Sequence, residues 1–301
     1  VIVVARFHTE EAFERNLGLV DPQEQAKLLR SRVALAGCGG VGGVHAHTLA
    51  RLGVGAFTLA DPDTFSLANF NRQIGATVDT IDAPKARVTE RMIHAINPLA
   101  DVRVIQEPVS SANVDAFLDG ADLVIDGVDF FALESRRMLA LRAWERGIPL
   151  LIAAPLGFSG TLHVFARGGM SFDEYFDLRD GQDRCEQYVR FLVGLAPSAL
   201  HASYTDISTA DPASGRAPSS VIGSQMAACV AGAEAVRILL GRGASRLAPH
   251  YLQVDVYRRK IRSRRLWLGN RGLVPRLKRW WVRRYLAAHG LDRALARLEA
   301  A

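Results

Sequence analysis

Cysteine is scarce in this chain. There are three, Cys38, Cys185 and Cys229, far apart and with no Cys-x-x-Cys pair among them. An odd, scattered set argues against a disulfide framework and against a cysteine-based structural zinc site, and it points to a reducing, cytoplasmic compartment. Long apolar runs are missing as well, and none reaches the length needed to span a bilayer. The opening Val1-Ile2-Val3-Val4-Ala5 is too short for a signal-peptide core, has no basic residue before it, and reads as an edge strand or tail. Acidic residues are absent from Arg258 to Arg284, a segment that holds twelve Lys and Arg. Without it the formal charge of +6 would become about −6, so the body of the protein is mildly acidic and the basic character belongs to one C-terminal segment.

The remaining composition is that of an ordinary globular protein, with 49% hydrophobic and 23% charged residues over 301 positions. That length suits one large domain or two modest ones. Residues Glu10 to Arg30 have a helical pattern interrupted at Asp21-Pro22, where Asp21 would cap and Pro22 would occupy the first helical position. Short apolar runs then alternate with helical patterns. Strands are expected at Val33–Ala36, Phe57–Asp61, Val102–Ile105, Leu123–Asp126 and Leu150–Ala153. Helices are expected at Val41–Leu52, Ala83–Asn97, Asn113–Leu118 and Phe131–Arg146. Uniformly apolar strands alternating with helices predict an α/β fold, a Rossmann-like and mainly parallel sheet covered on both faces.

After Pro155 the pattern changes. Thr161–Phe165 and Tyr251–Tyr257 alternate, which predicts an antiparallel extension in the C-terminal half. Between them lies an irregular stretch, about 168–218, with a helical piece at Cys185–Val193, followed by an apolar, small-residue helix at Ser219–Leu240 expected to be buried. The tail from Val274 to Leu298 reads as two short amphipathic helices. The expected division is an N-terminal helical segment (1–30), a nucleotide-binding domain (31–257) and a basic tail (258–301).

The chemistry concentrates at Gly37-Cys38-Gly39-Gly40-Val41-Gly42, between a strand and a helix. Glycines let a backbone approach a phosphate, and the helix start offers free N–H groups and the positive end of a dipole. Asp61 closes the following strand, where a carboxylate can accept from ribose hydroxyls. These features admit NAD or ATP equally, and glycines serving tight packing alone are the plainer alternative. Arg72, Lys85 and Asp129 separate the two nucleotides. Cleaving a triphosphate calls for cations at the developing phosphate charge and for a carboxylate able to hold Mg²⁺, and a dinucleotide oxidoreductase needs neither.

These residues carry a resemblance. Gly37–Gly42, Asp61-Pro62-Asp63, Asn69-Phe70-Asn71-Arg72-Gln73, Pro84-Lys85, Ile96-Asn97-Pro98 and Asp126-Gly127-Val128-Asp129 together resemble the ThiF/MoeB/HesA superfamily, bacterial relatives of ubiquitin-activating enzymes, over about Arg15 to Gly241. The resemblance implies adenylation, with ATP and Mg²⁺, of the carboxyl end of a ubiquitin-like or sulfur-carrier protein or of a small peptide. It implies that Gly37, Gly39, Gly40, Gly42, Asp61, Asp63, Asn69, Arg72, Gln73 and Lys85 surround the nucleotide and that Asp129 is associated with the metal. It also matches Arg15 to an arginine that reaches the neighbouring subunit's ATP, hence a homodimer. Ala153-Ala154-Pro155-Leu156-Gly157 resembles the strand end that faces the substrate tail. Asp126 reads as a structural strand-end residue.

Two departures stand out. The paired Cys-x-x-Cys zinc ligands of many relatives are absent, and Phe130 follows Asp129 where many relatives have Asn. Of the cysteines, Cys185 is the candidate nucleophile, with Arg184 and Arg190 near enough in sequence to lower its pKa, and an incidental loop cysteine is the alternative. Cys38 and Cys229 read as packing residues, and His45, His47 and His94 as ordinary histidines. The basic tail places Leu277, Trp280, Trp281 and Tyr285 on one helical face. That face either packs on the core or serves an acidic partner, an anionic membrane or nucleic acid. An NAD-dependent oxidoreductase and a nucleotide-binding scaffold without chemistry are the competing functions.

Overall fold

The structure, a computed structural model, describes residues 7–298, so the expectation for Val1–Ala5 falls outside it. Five parallel strands form the first half of the sheet: β1 (Arg32–Ala36), β2 (Ala56–Ala60), β3 (Asp101–Ile105), β4 (Leu123–Asp126) and β5 (Leu150–Ile152). They lie in the order β3-β2-β1-β4-β5. The sheet continues antiparallel through β7 (Ser159–Phe165), β8 (His250–Asp255) and β9 (Lys260–Arg265), with the two-residue β6 (Pro155–Leu156) paired to β7. This is the mainly parallel sheet with an antiparallel extension that the hydrophobic patterns predict.

The helices are α1 (Thr9–Ala12), α2 (Pro22–Arg30), α3 (Gly42–Arg51), α4 (Lys85–Ile96), α5 (Val114–Phe117), α6 (Leu133–Glu145), α7 (Phe172–Phe176), α8 (Arg184–Leu195), α9 (Val221–Leu240), α10 (Leu273–Ala288) and α11 (Leu291–Ala296). Side chains alternate across a strand, so one strand feeds both cores. In β1, Val33 and Leu35 join Leu28, Leu49, Ile93 and Ala231 on one face. Ala34 and Ala36 join Phe117, Leu139, Phe176 and Phe191 on the other. Helix α3 follows β1 onto the first face and α6 follows β4 onto the second. Adjacent strands that send their helices to opposite faces leave a crevice at their carboxyl ends.

Several expectations are corrected. The helix over Glu10–Arg30 is cut to α1 and α2, because Phe13 leaves helical geometry and Gly18 takes a positive φ. The Asp21 cap does form, reciprocated by Glu24. Helix α9, at 20 residues, is after all long and apolar enough to cross a bilayer by length and composition. Its Gly223, Ala227, Ala231 and Ala235 side instead packs onto β7 and α3, where small residues allow close approach. Cys229 lies on the opposite, exposed side of α9 and is not a core residue.

The basic segment is woven into the fold. The boundary drawn at residue 257 falls within the β8–β9 hairpin. Helix α10 packs on α8, and of the alternatives left open for its aromatic face, packing on the core is not what is seen: the face turns outward. Leu277, Trp280 and Trp281 are 59%, 48% and 61% exposed, whereas Arg279 and Leu286 are buried. Arg279 turns inward because Asp177 draws it. That carboxylate also receives Arg190, Arg179 and Arg271. Burial alone would raise the pKa of Asp177, but the cations, Arg190 foremost, hold it below the usual carboxylate range.

Two buried imidazoles make the fold sensitive to acid. His45 and His163 are pushed down to about 3 by burial. The Tyr175 hydroxyl donates to the Gly194 carbonyl, so it accepts from His163 Nε2, which fixes the neutral tautomer. Below pH 6.5 the unfolded chain binds protons that the folded chain refuses. Each imidazole therefore withdraws at most about 1.4 kcal/mol of stability per pH unit as pH falls toward 3. Urea denaturation should show a lower midpoint at pH 5 than at pH 7.5, and His163→Gln should flatten that dependence. A second test concerns Arg136, which is buried against Asp126 and lies over the Phe191 ring. Arg136→Met leaves the Asp126 carboxylate buried without its partner and should cost about 3–5 kcal/mol in the same assay.

Candidate adenylation site

The glycine turn forms because three backbones meet where β1 and β4 end. Gly37 has a φ of +90°, and a Cβ on it would lie 2.2 Å from the Gly127 carbonyl oxygen. A Cβ on Gly42 would lie 1.8 Å from the Gly37 carbonyl oxygen. Gly37 N–H donates to Ala60 and Gly127 N–H to Ala36, tying β1 to its neighbours on both sides. With the turn drawn in this tightly, α3 starts at Gly42 without a side-chain cap, so its first N–H groups face the crevice.

A cavity of about 600 Å³ opens there, within the size range of small-molecule sites. Its wall includes Gly37, Gly39, Gly40, Asp61, Asp63, Arg72, Gln73, Lys85 and Asp129. Asp61 is buried and accepts from the Cys38 N–H at 2.6 Å and the Asp63 N–H at 2.8 Å. Burial raises its pKa, a change that those two donors and Lys85 oppose. Lys85 begins α4, is buried, and reaches Asp63 at 2.8 Å through Nζ. The Arg72 stem lies beside Gly40, and its guanidinium donates to Ala68 and Asn71. Burial lowers the pKa of Arg72 and the Asp129 charge raises it. Asp129 is exposed and accepts from the Phe131 N–H at 2.9 Å. Two cations, two strand-end carboxylates and a helix start thus converge on one wall.

A match to a model of the ThiF family spans residues 13–271. The chain belongs to the ThiF family. It is 30% identical over 244 residues to a sulfur carrier protein adenylyltransferase of Thermus thermophilus, covering 81% of this chain and 82% of that protein. It is 35% identical over 140 residues to the sulfur carrier protein ThiS adenylyltransferase of Escherichia coli, covering 46% of this chain and 55% of that one. It is also 35% identical over 131 residues to the tRNA threonylcarbamoyladenosine dehydratase of Haemophilus influenzae, covering 43% and 50%. In these last two the chain spans about half the relative's length. Among solved structures, PaaA superposes with a TM-score of 0.65 at 19% identity, over 86% of this chain and 83% of that one. E. coli MccB with MccA gives 0.65 at 18%, over 89% and 75%. At these identities the likeness is one of fold.

Of the residues expected at this ThiF-family site, Gly42, Asn69 and Cys185 do not line the cavity, and Arg15, expected to serve a neighbouring subunit, does not line that of its own chain. Gly42 serves the close packing of the turn. Asn69 turns its Oδ1 to the Ser66 N–H and hydroxyl and closes a short helical turn. Arg15 is exposed on the N-terminal segment and is not on the cavity wall of its own chain. Cys185 is half-buried on α8 and is also off that wall. Its thiol pKa is raised, by burial first and then by Asp183 and Asp292, contrary to the expectation that neighbouring arginines would lower it. Arg190 is committed to Asp177 and Glu186. Asp126 pairs with Arg136, in keeping with a structural role.

Two wall residues had no signal in the sequence. His201 and Thr205 come from the irregular segment, and their Nδ1 and Oγ1 atoms are buried without partners, as is Gln73 Oε1. No local motif marks them, because only the folded path of residues 200–219 carries them over the strand ends.

The cysteines provide a direct check. Cys38 is fully buried with its pKa pushed up, Cys185 is half-buried with its pKa raised, and Cys229 is exposed. Iodoacetamide at pH 8 followed by peptide mass spectrometry should label Cys229 first, Cys185 at least about ten times more slowly, and Cys38 only after unfolding.

Proposed function

We propose that this protein activates a carboxylate by adenylation. The carboxylate oxygen attacks the α-phosphorus of ATP, the bond to the β-phosphate oxygen breaks, and pyrophosphate leaves with the negative charge. The observation that carries the reading is the convergence of Arg72 and Lys85 with the glycine turn on one cavity wall. Fixed cations there would stabilise charge as it moves onto the departing pyrophosphate. Asp61 is placed to accept from ribose hydroxyls, as strand-end acids do in this kind of crevice.

Mg²⁺ belongs to the same proposal. Among the described residues no cluster of three or more His, Cys, Asp or Glu is placed to hold a metal. The residues fit a magnesium ion held by Asp129 with phosphate oxygens and water completing its shell, an arrangement that suits this ion. Bound there it would neutralise phosphate charge. A homodimer in which Arg15 serves the partner's site is the arrangement that would give this exposed arginine a role. The outward basic and aromatic face of α10 would suit an acidic partner.

The acyl substrate is a sulfur-carrier protein, as the names of the adenylyltransferase relatives suggest, or a ubiquitin-like protein or peptide, as the family resemblance implies. The dehydratase relative keeps tRNA modification as the alternative. ATP–pyrophosphate exchange stimulated by a carboxyl-terminal peptide tests the proposal. Arg72→Ala and Lys85→Ala should each reduce exchange by roughly 10²–10³-fold. Exchange unchanged in both variants would remove these residues from the phosphate site, and NADH formation without exchange would favour the oxidoreductase.

A further inference from the structure

The cavity is larger on one side than a nucleotide on the glycine turn requires. A phosphate at the start of α3 and a ribose at Asp61 place the nucleotide over β1 and β2. Pro108 and Val109, which follow β3, border the cavity on that same side and offer the base an apolar seat. Beyond Asp129, on the β4 side, the wall changes character. It is made by Phe130, Phe191, Leu195, Leu286, Leu291 and Leu295, contributed by the loop after β4 and by α8, α10 and α11. Phe130 packs 5.4 Å from the Phe191 ring centre, and Leu286, Leu291 and Leu295 are all buried.

From this wall we infer that the carboxylate activated at Asp129 and Arg72 is carried by a peptide whose last residue has a bulky apolar side chain, seated between Phe191 of α8 and the leucines of α10 and α11. The inference rests on the adenylation reading and deepens it. Ser135, Arg136 and Tyr188 also line the cavity, and Arg136 lies 4.7 Å over the Phe191 ring, so this end is mainly apolar; where apolar groups form the wall, water has few partners and an apolar occupant is favoured. A glycine terminus would leave this end of the cavity unfilled. A peptide also answers polar atoms elsewhere in the cavity lining. Gln73 Oε1, His201 Nδ1 and Thr205 Oγ1 are buried and unpartnered, and all three residues line the cavity. Burial pushes His201 down to about 4, so its imidazole is neutral at pH 7. Neutral acceptors and a hydroxyl match the amide groups of a peptide backbone better than they match a second charge.

The test uses the full chain and four N-acetylated tetrapeptides that differ only in a C-terminal Gly, Asn, Leu or Phe. Calorimetry with a non-hydrolysable ATP analogue measures binding, and ATP–pyrophosphate exchange measures turnover. The Leu and Phe peptides should surpass the Gly peptide by about 10–200-fold in both. Leu291→Trp, or the milder Leu295→Phe should the first not fold, fills the space and should abolish that preference while the analogue binds as before. Equal binding of the Gly and Phe peptides, or no binding of any, overturns the inference. So does a filled variant that loses the analogue but keeps the peptide preference, because the base would then occupy this end. Selective binding of the Phe peptide without exchange supports the seat and sinks the adenylation reading instead.

Discussion

The site depends on one close approach. Gly37, Gly42 and Gly127 bring the ends of β1 and β4 and the start of α3 nearer than any side chain would allow. This contact places the uncapped start of α3 in line with the ends of the strands, and the rest of the nucleotide end is assembled around it. Asp61 holds the Cys38 amide and so fixes the turn from the β2 side, while the Gly127 amide fixes it from the β4 side. Because adjacent strands send α3 and α6 to opposite faces, the crevice at this contact is open in both directions. One direction leads to Lys85 at the start of α4, the other to Phe130 and Phe191.

The second constraint is electrostatic and lies away from the turn. Asp177, buried and surrounded by arginines from α8, α10 and the preceding loop, joins the C-terminal helices to the body. A carboxylate in such surroundings stabilises through several partners, and removing it would leave the buried Arg279 without its partner, which is costly. It also decides orientation. With Arg279 drawn inward, Leu286 turns toward the cavity and Trp280 and Trp281 turn to solvent. The roof of the apolar end of the cavity therefore rests on an ion network that touches no substrate.

Much of this was legible in the sequence. The parallel strands were visible as uniformly apolar runs, because strands covered on both faces need them. The glycine turn, Asp61, Arg72, Lys85 and Asp129 were visible as an ordered set. What stayed hidden has physical reasons. Lys260–Arg265 forms β9, yet a basic edge strand with solvent on its outer side shows no apolar alternation. The periodicity of α10 defines a face but does not say whether that face meets the core, and Asp177, about a hundred residues earlier, decides it. Cys229 reads as core because α9 is apolar over most of its circumference, although Gln225 and Arg237, four and eight residues from it, mark the exposed side. The resemblance matches Asn69 to the phosphates, whereas its side-chain carbonyl is taken by the local turn at Ser66.

The same limit applies to the acyl end of the cavity, and it bears on how such proteins diverge. The nucleotide end is marked by short motifs whose residue types can be read in the sequence, although they are spread from Gly37 to Asp129. The acyl end is assembled from α8, α10, α11 and the segment carrying His201 and Thr205, elements separated by up to about a hundred residues. No spacing rule constrains them, and each can change without disturbing the glycine contact. One scaffold can therefore keep a single way of holding a nucleotide while the neighbouring wall changes from open to apolar. In this chain Phe130 sits at the junction: it directly follows Asp129 on the nucleotide side and packs on Phe191 on the other. A single position thus borders both halves of the cavity, and a substitution at Phe130 would alter the acyl side while leaving the carboxylate before it in place.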